Sequence, residues 1–281
     1  MPQLDERAAA VPASSTAAAL RFRGADARRF LQGQLSNDMD LLAASALLPA
    51  GLHNPQGRAL ALLYLVAPAP DEVVALLPAE LATATAATLK RYVLRSKVAI
   101  EVEDSADALA ALAARSPALA PRLAMDVRTR DIAAGLPQVH AATSGAFVAQ
   151  MLNLDCIGAI AFDKGCYTGQ EVIARAHYRG RVKRRMQLFR ARGAPALAPG
   201  ASIVLGDGRR ATVVDATTPA PDGTVNFLAV AALPAAAETP DAAAPTESVA
   251  PTGTGASDAA AATPLPRIDS EPLPLPYSFP H

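Results

Sequence analysis

KGCYTGQEVIAR, residues 164–175, is the stretch from which the rest of the sequence is best read. Thr168 and Glu171 stand at the spacing of a capping box, in which hydroxyl and carboxylate satisfy each other's free backbone donors at a helix start. The apolar-periodic run 172–176 would be the beginning of that helix. Cys166 then lies just ahead of a helix N-terminus, and with Lys164 two positions away the positive surroundings favour a reactive thiolate. Gly165 and Gly169 suit a chain that turns sharply or approaches a ligand closely, although loop glycines need neither. A free cysteine also serves as a small buried hydrophobe, and the local residues leave both readings of Cys166 open.

Downstream, the stretch 175–192 carries Arg175, Arg179, Arg181, Lys183, Arg184, Arg185, Arg190 and Arg192 with no acidic residue among them. With His177 and Tyr178 as stacking surfaces, such a strip suits RNA phosphates or a polyanionic ligand such as a polyglutamylated folate; it equally suits a solvated face. After residue 183 the sequence turns to short β-like runs at 186–189, 202–205, 212–214 and 225–230, with a tight hairpin expected at 206–208. This predicts a small antiparallel sheet or barrel as a separate domain over 183–281. Within it, 231–264 has too little bulky apolar surface to order and reads as a disordered insert before a last strand in 265–279.

Upstream, Cys156 adjoins the apolar run 157–162 and reads as a packing residue. Residues 1–18 lack periodicity and predict a mobile leader, the folded part beginning at about residue 18. A strand at 20–23 is followed by a helix with Asp26 as cap, Phe30 and Leu31 facing inward and Gly33 at its end. Asn54 to Gly57 is a turn feeding a strand at 60–66. Leu81, Thr85, Leu89 and Tyr92 keep helical spacing, Val98, Ile100 and Val102 alternate like a half-buried strand, and a second helix covers 104–115. Helices and strands mix without regular βαβ spacing, so the class is α+β.

The formal net charge is zero, which removes any global argument for a nucleic-acid or membrane partner. No apolar run is long enough to span a bilayer and no secretory signal opens the sequence, so a cytoplasmic location is expected. Two cysteines and scattered His53, His140, His177 and His281 show no metal-ligand spacing, so no metal site is predicted. Nor do two thiols supply the four that usually hold an iron–sulfur cluster, so any cluster would be shared with another molecule. Walker, GxGxxG and GxSxG signatures are absent.

The motif KGCYTGQEVIAR resembles the signature of the YgfZ family, relatives of the folate-binding T-protein of the glycine cleavage system. LQGQLSNDM (31–39), NPQGR (54–58), RYVLRSKV (91–98), AGLP (134–137), QMLNLD (150–155), YRGRVKRR (178–185) and LPLPYSFP (273–280) are similar to that family in the same order. The resemblance implies two interleaved ferredoxin-like α+β units, a folate-binding core over 18–182, and a small C-terminal antiparallel barrel. It implies tetrahydrofolate or a derivative as cofactor, and a role in assembling or repairing iron–sulfur clusters of client enzymes, tRNA-modifying ones among them. Cys166 is then the functional thiol, assisted by Lys164. Folate contacts are implied for Asp155, Tyr167, Gly169, Gln170, Glu171 and Arg175, with Gly165 and Thr168 shaping the motif. Related aminomethyltransferases carry paired aspartates where this chain has Ala61 and Leu62, which argues against the alternative of folate-dependent aminomethyl transfer. A tRNA-binding module working through the basic strip is the further alternative.

Overall fold

The computed structural model describes residues 17–43, 46–180, 182–234 and 264–280. The chain opens with β1 (Ala17–Arg23), α1 (Ala27–Gln32), β2 (Leu48–His53), β3 (Ala59–Ala69), β4 (Glu72–Pro78), α2 (Ala79–Lys90) and β5 (Ala99–Glu103). The strands form one antiparallel sheet in the order β2-β3-β4-β1-β5. Its central strands are buried on both faces, which is why the runs in β3 and β4 are apolar almost without interruption. Leu20, Phe22, Leu63, Ala75 and Leu77 join α1 and α2 in the large core. Ala19, Val66, Val74 and Leu76 face the other way, against α3 (Ala106–Arg115) and the segment that leads into α4 (Ala120–Leu123). Arg115 extends from α3 to Glu72 of β4 at 2.6 Å.

After α5 (Val127–Ala133) and α6 (Gln170–Arg179) come β6 (Arg184–Arg192), β7 (Ser202–Val204), β8 (Arg210–Ala216), β9 (Thr224–Ala232) and β10 (Ser270–Leu273). They form a second antiparallel sheet, ordered β10-β6-β9-β8-β7. Phe189, Val213, Val225 and Phe227 give it a core of its own, whereas Met186, Leu188, Leu228 and Val230 join the large core. Two five-stranded antiparallel sheets with intervening helices make the chain α+β, as the sequence predicts.

Several local expectations need correction. Ala17 and Ala18 are the first residues of β1, not leader; the remainder of the leader lies outside the described residues. Ala231 and Ala232 finish β9, so the low-complexity stretch starts after them, and 235–263 is outside the described residues. Asp26 stands at the start of α1 without capping it, because its carboxylate accepts the Lys97 backbone N–H at 2.7 Å. Helix α2 stops at Lys90, which leaves Tyr92 outside it, and α3 begins at Ala106 with Ser105 as its cap. Val102, on an edge strand, is 37% exposed instead of packed.

Candidate functional site

The Cys166 loop is held by its neighbours in sequence. Lys164 extends its ammonium into the loop after α1 and donates to the backbone carbonyls of Gln32, Leu35 and Asn37 at 2.8, 2.7 and 2.7 Å. Burial brings this ammonium down to about 8, against the pull of Asp38 and Asp40. The loop it grips is itself stitched down: Ser36 Oγ donates to Ala159 O, and Asn37 Nδ2 donates to both Pro49 O and Gly158 O. The predicted partnership of Lys164 with the thiol is therefore replaced by a tether. Tyr167 is buried beside His53, ring centroids 6.3 Å apart, and burial pushes its phenol up to about 12.

The expected capping box does not form, and helix α6 starts two residues after Thr168. Gly169 occupies the cap position at φ 84°, and no side chain caps it. A methyl group at Gly169 would stand 2.5 Å from Asn54 O and 3.1 Å from Gly57 Cα, so only glycine lets α6 seat on the 54–58 turn. Gly165 has no such constraint, since a methyl there meets nothing within 4 Å. Glu171 pairs with Arg175 one turn on, both exposed, and Gln150 Nε2 fastens the helix through Ile173 O. Gln170 is half-buried at the helix start. Cys166 itself is exposed and unpaired, four residues ahead of the helix.

Asp155 is engaged elsewhere. Its two oxygens take Arg185 Nη1 and Nη2, both at 2.9 Å, and the side chains are 1% and 4% exposed. Asn153 and Tyr277 border the pair, Tyr277 donating to Gly135 O at 2.6 Å, while the guanidinium lies over the Phe279 ring. Cys156 is drawn into this cluster, 3.6 Å from Arg185 Nη1. Burial, followed by the charge of Asp155, pushes its thiol up to about 12, so it stays protonated and inert. Cys156 is half-buried at this cluster's margin.

A cavity of about 650 Å³ opens between the first sheet, α4, α5 and β8. Its walls carry a polar cluster that the sequence reading missed. Arg122 lies 3.7 Å over the Tyr64 ring and donates to Asp131 at 2.6 Å. Arg128 Nε donates to Asp215 at 2.7 Å, and His140 bridges Glu80 (Nδ1, 3.0 Å) and Asp215 (Nε2, 3.4 Å). Burial works against the charged form of His140, yet the hydrogen bonds and charges of Asp215 and Glu80 outweigh it and raise its pKa. The available signal was Asp215, a carboxylate inside the otherwise apolar strand ATVVDA. None of Asp155, Tyr167, Gly169, Gln170, Glu171 and Arg175 lines this cavity. Among the described residues, no group of three or more His, Cys, Asp or Glu converges as metal ligands would.

No family model matches the chain. A protein of Haemophilus influenzae, described as uncharacterized, is 30% identical over 196 residues, which cover 61% of this chain and 70% of that one. The chain belongs to that protein's family. Among solved structures it is similar to the glycine cleavage system aminomethyltransferase T of Bartonella henselae, with a TM-score of 0.57 and 17% identity over 78% of this chain and 77% of that one. The fold is thus that of an aminomethyltransferase T-like protein, and at this level of identity the likeness concerns the fold alone.

In this family member the basic strip 175–192 is divided. Arg185 is withdrawn into the Asp155 pair and Arg190 faces Glu271 at 3.7 Å, while Arg175 is balanced by Glu171; Arg179, Lys183, Arg184 and Arg192 are exposed. His177 stacks on Phe162 at 3.8 Å, which covers one face of its ring, and Tyr178 stays open. No helix among the described residues is long and apolar enough to cross a membrane.

Two histidines, His53 buried and His140 half-buried, give stability a pH optimum. His53 is buried with no hydrogen-bond partner on either ring nitrogen, and burial lowers it to about 4 against the polar backbone of Gly51. In the unfolded chain it takes a proton near 6.5, so between pH 6.5 and 4 the unfolded state binds more protons and stability falls with acid, by up to about 3 kcal/mol. His140 has the opposite sign. Its raised pKa gives a contribution complete below pH 6.5 and lost as pH rises through its folded value. Urea unfolding from pH 4 to 9 is expected to show a maximum near pH 6.5, and His53→Leu to flatten the acid limb alone. An unchanged acid limb in His53→Leu would contradict the assignment.

Proposed function

We propose that this chain is a folate-binding accessory protein of the YgfZ kind, which supports assembly or repair of iron–sulfur clusters in cytoplasmic client enzymes through one reactive cysteine. The observation that carries this reading is a division of labour. A cavity of folate size contains no cysteine, and an exposed cysteine is presented on a separate, tethered loop. About 650 Å³ falls within the range of small-molecule sites. The walls fit the ligand chemically: the apolar side is Leu76, Leu77 and Val127, Glu80 and Asp131 each keep one carboxylate oxygen outside their pairs as an acceptor for pterin N–H groups, and Arg128 keeps Nη1 for a carboxylate tail. A reduced folate supplies a one-carbon unit or a reducing pterin when bound; this chain's residues supply its orientation and exclusion from water.

The same reading includes two interleaved ferredoxin-like units over 18–182 and a barrel domain over 183–281. It assigns Asp155 a supporting role, holding Arg185 and hence β6 against the core. Aminomethyl transfer is disfavoured because Ala61 and Leu62 are buried apolar residues of β3. Calorimetric titration of tetrahydrofolate is expected to show one site in the wild type, at least tenfold weaker in Arg128→Ala, with no consumption of a one-carbon folate adduct by the purified protein. Absence of binding would overturn the folate reading. Turnover of the adduct would replace it with the transferase.

A further inference from the structure

Beyond the folate reading and independent of it, a second cavity has the makings of an anion site. It measures about 390 Å³ and lies between α1 and the connector from α2 to β5, walled by Asp26, Arg29, Phe30, Gln34, Tyr92 and Arg95. Cations crowd this corner. Arg29 and Arg95 stand in the wall, and Lys90, Arg91 and Lys97 belong to the same connector. Arg21, Arg122 and Arg185, buried or half-buried elsewhere, each pair with carboxylates, whereas Arg29 and Arg95 are exposed. Among the described residues none of these five cations is in an ion pair, and the one side-chain hydrogen bond among them runs from Arg91 to Thr88 Oγ1 at 3.3 Å. The single carboxylate present, Asp26, uses Oδ2 to accept the Lys97 N–H at 2.7 Å.

An aromatic ring shares the wall with the two arginines. Tyr92 is 47% exposed, set there by a turn in which its N–H donates to Leu89 O and the Leu94 N–H donates back to Tyr92 O. Two guanidiniums with a rim of three more cations exceed what a single carboxylate ligand would call for. They match the charge and geometry of phosphate, whose oxygens accept forked guanidinium bonds. An open aromatic face beside them suits a base, and an acidic acceptor with a free oxygen suits ribose hydroxyls. We propose that this pocket binds a nucleoside phosphate, with the base on Tyr92, the ribose on Asp26 and the phosphate between Arg29 and Arg95. The unit could be a free nucleotide or one nucleotide of a single RNA strand.

The site also has a neighbour of consequence. Gly33 and Gln34 in its wall lie between Gln32 and Leu35, whose carbonyls hold Lys164. The pocket and the Cys166 loop are therefore anchored on the same end of α1.

The test uses the full chain, with calorimetry for ADP and fluorescence anisotropy for a labelled twelve-nucleotide RNA, both at low ionic strength. At least one probe is expected to bind, about tenfold or more weaker in the exposed double variant Arg29→Glu, Arg95→Glu, and several-fold weaker in Tyr92→Ala. Binding of ADP identifies a free nucleotide, and binding of the RNA alone identifies a strand; either supports the site. Leu94, 87% exposed on the same connector, serves as the control. The proposal is overturned if neither probe binds, if the double arginine variant binds as wild type does, if Leu94→Ala abolishes binding as for a peptide groove, or if only Arg175→Glu, Arg179→Glu weakens it.

Discussion

Replacing Arg185 with alanine is expected to cost about 3–5 kcal/mol of folding stability, the range for removing one partner of a buried ion pair. Both side chains are nearly sealed from water, and the guanidinium meets both oxygens of Asp155 at 2.9 Å. Arg185 Nη1 also donates to Gln150 O at 3.0 Å, so the substitution strands a carboxylate and orphans a buried carbonyl together. The loss should appear in urea denaturation as a lower midpoint with little change in slope. A double variant, Asp155→Leu with Arg185→Met, should recover most of the stability, because an apolar pair of similar volume leaves no charge uncompensated. A double variant no more stable than Arg185→Ala would show that the cost lies in lost packing between β6 and the core instead of in the stranded charge.

Cys166→Ala is expected to abolish support of client cluster enzymes while leaving stability within about 0.5 kcal/mol of wild type, as exposed substitutions generally do. The loss should be complete because nothing can substitute. Cys156 is the chain's other thiol, and burial beside Asp155 keeps it protonated up to about 12. A deletion strain carrying Cys166→Ala should therefore match the empty vector in cluster-enzyme activity, and Cys166→Ser should do no better. Full complementation by Cys166→Ala would remove the thiol from the proposed function and leave the cavity as the protein's working part.

How much of this was legible in the sequence depends on how far apart the cooperating residues lie. Strands such as β3, β6 and β9 declared themselves, because burial on one or both faces writes itself into local alternation or unbroken apolar runs, whereas β4 went unread. The Thr168–Glu171 capping box misled, since the spacing was right but Gly169 can take a left-handed cap against the 54–58 turn, a contact no local pattern encodes. Lys164 looked like a partner for Cys166 because they are two residues apart; its carbonyl partners are 127–132 residues away. The polar cluster of the cavity draws Tyr64, Arg122, Arg128, His140 and Asp215 from four separate elements and a loop, so only the odd carboxylate of β8 hinted at it.

The Lys164 tether also bears on the order in which the molecule assembles. Closing a loop of about 130 residues for three hydrogen bonds is entropically expensive until the segments at both ends are already in place. Long-range contacts of this sort form late, after the first sheet has seated α1 and the 150–160 segment has reached Ser36 and Asn37. A nascent or half-folded chain thus carries its cysteine on a floppy strand, and the loop that presents it takes shape only once the two halves have found each other. Presentation of the thiol becomes a read-out of finished folding.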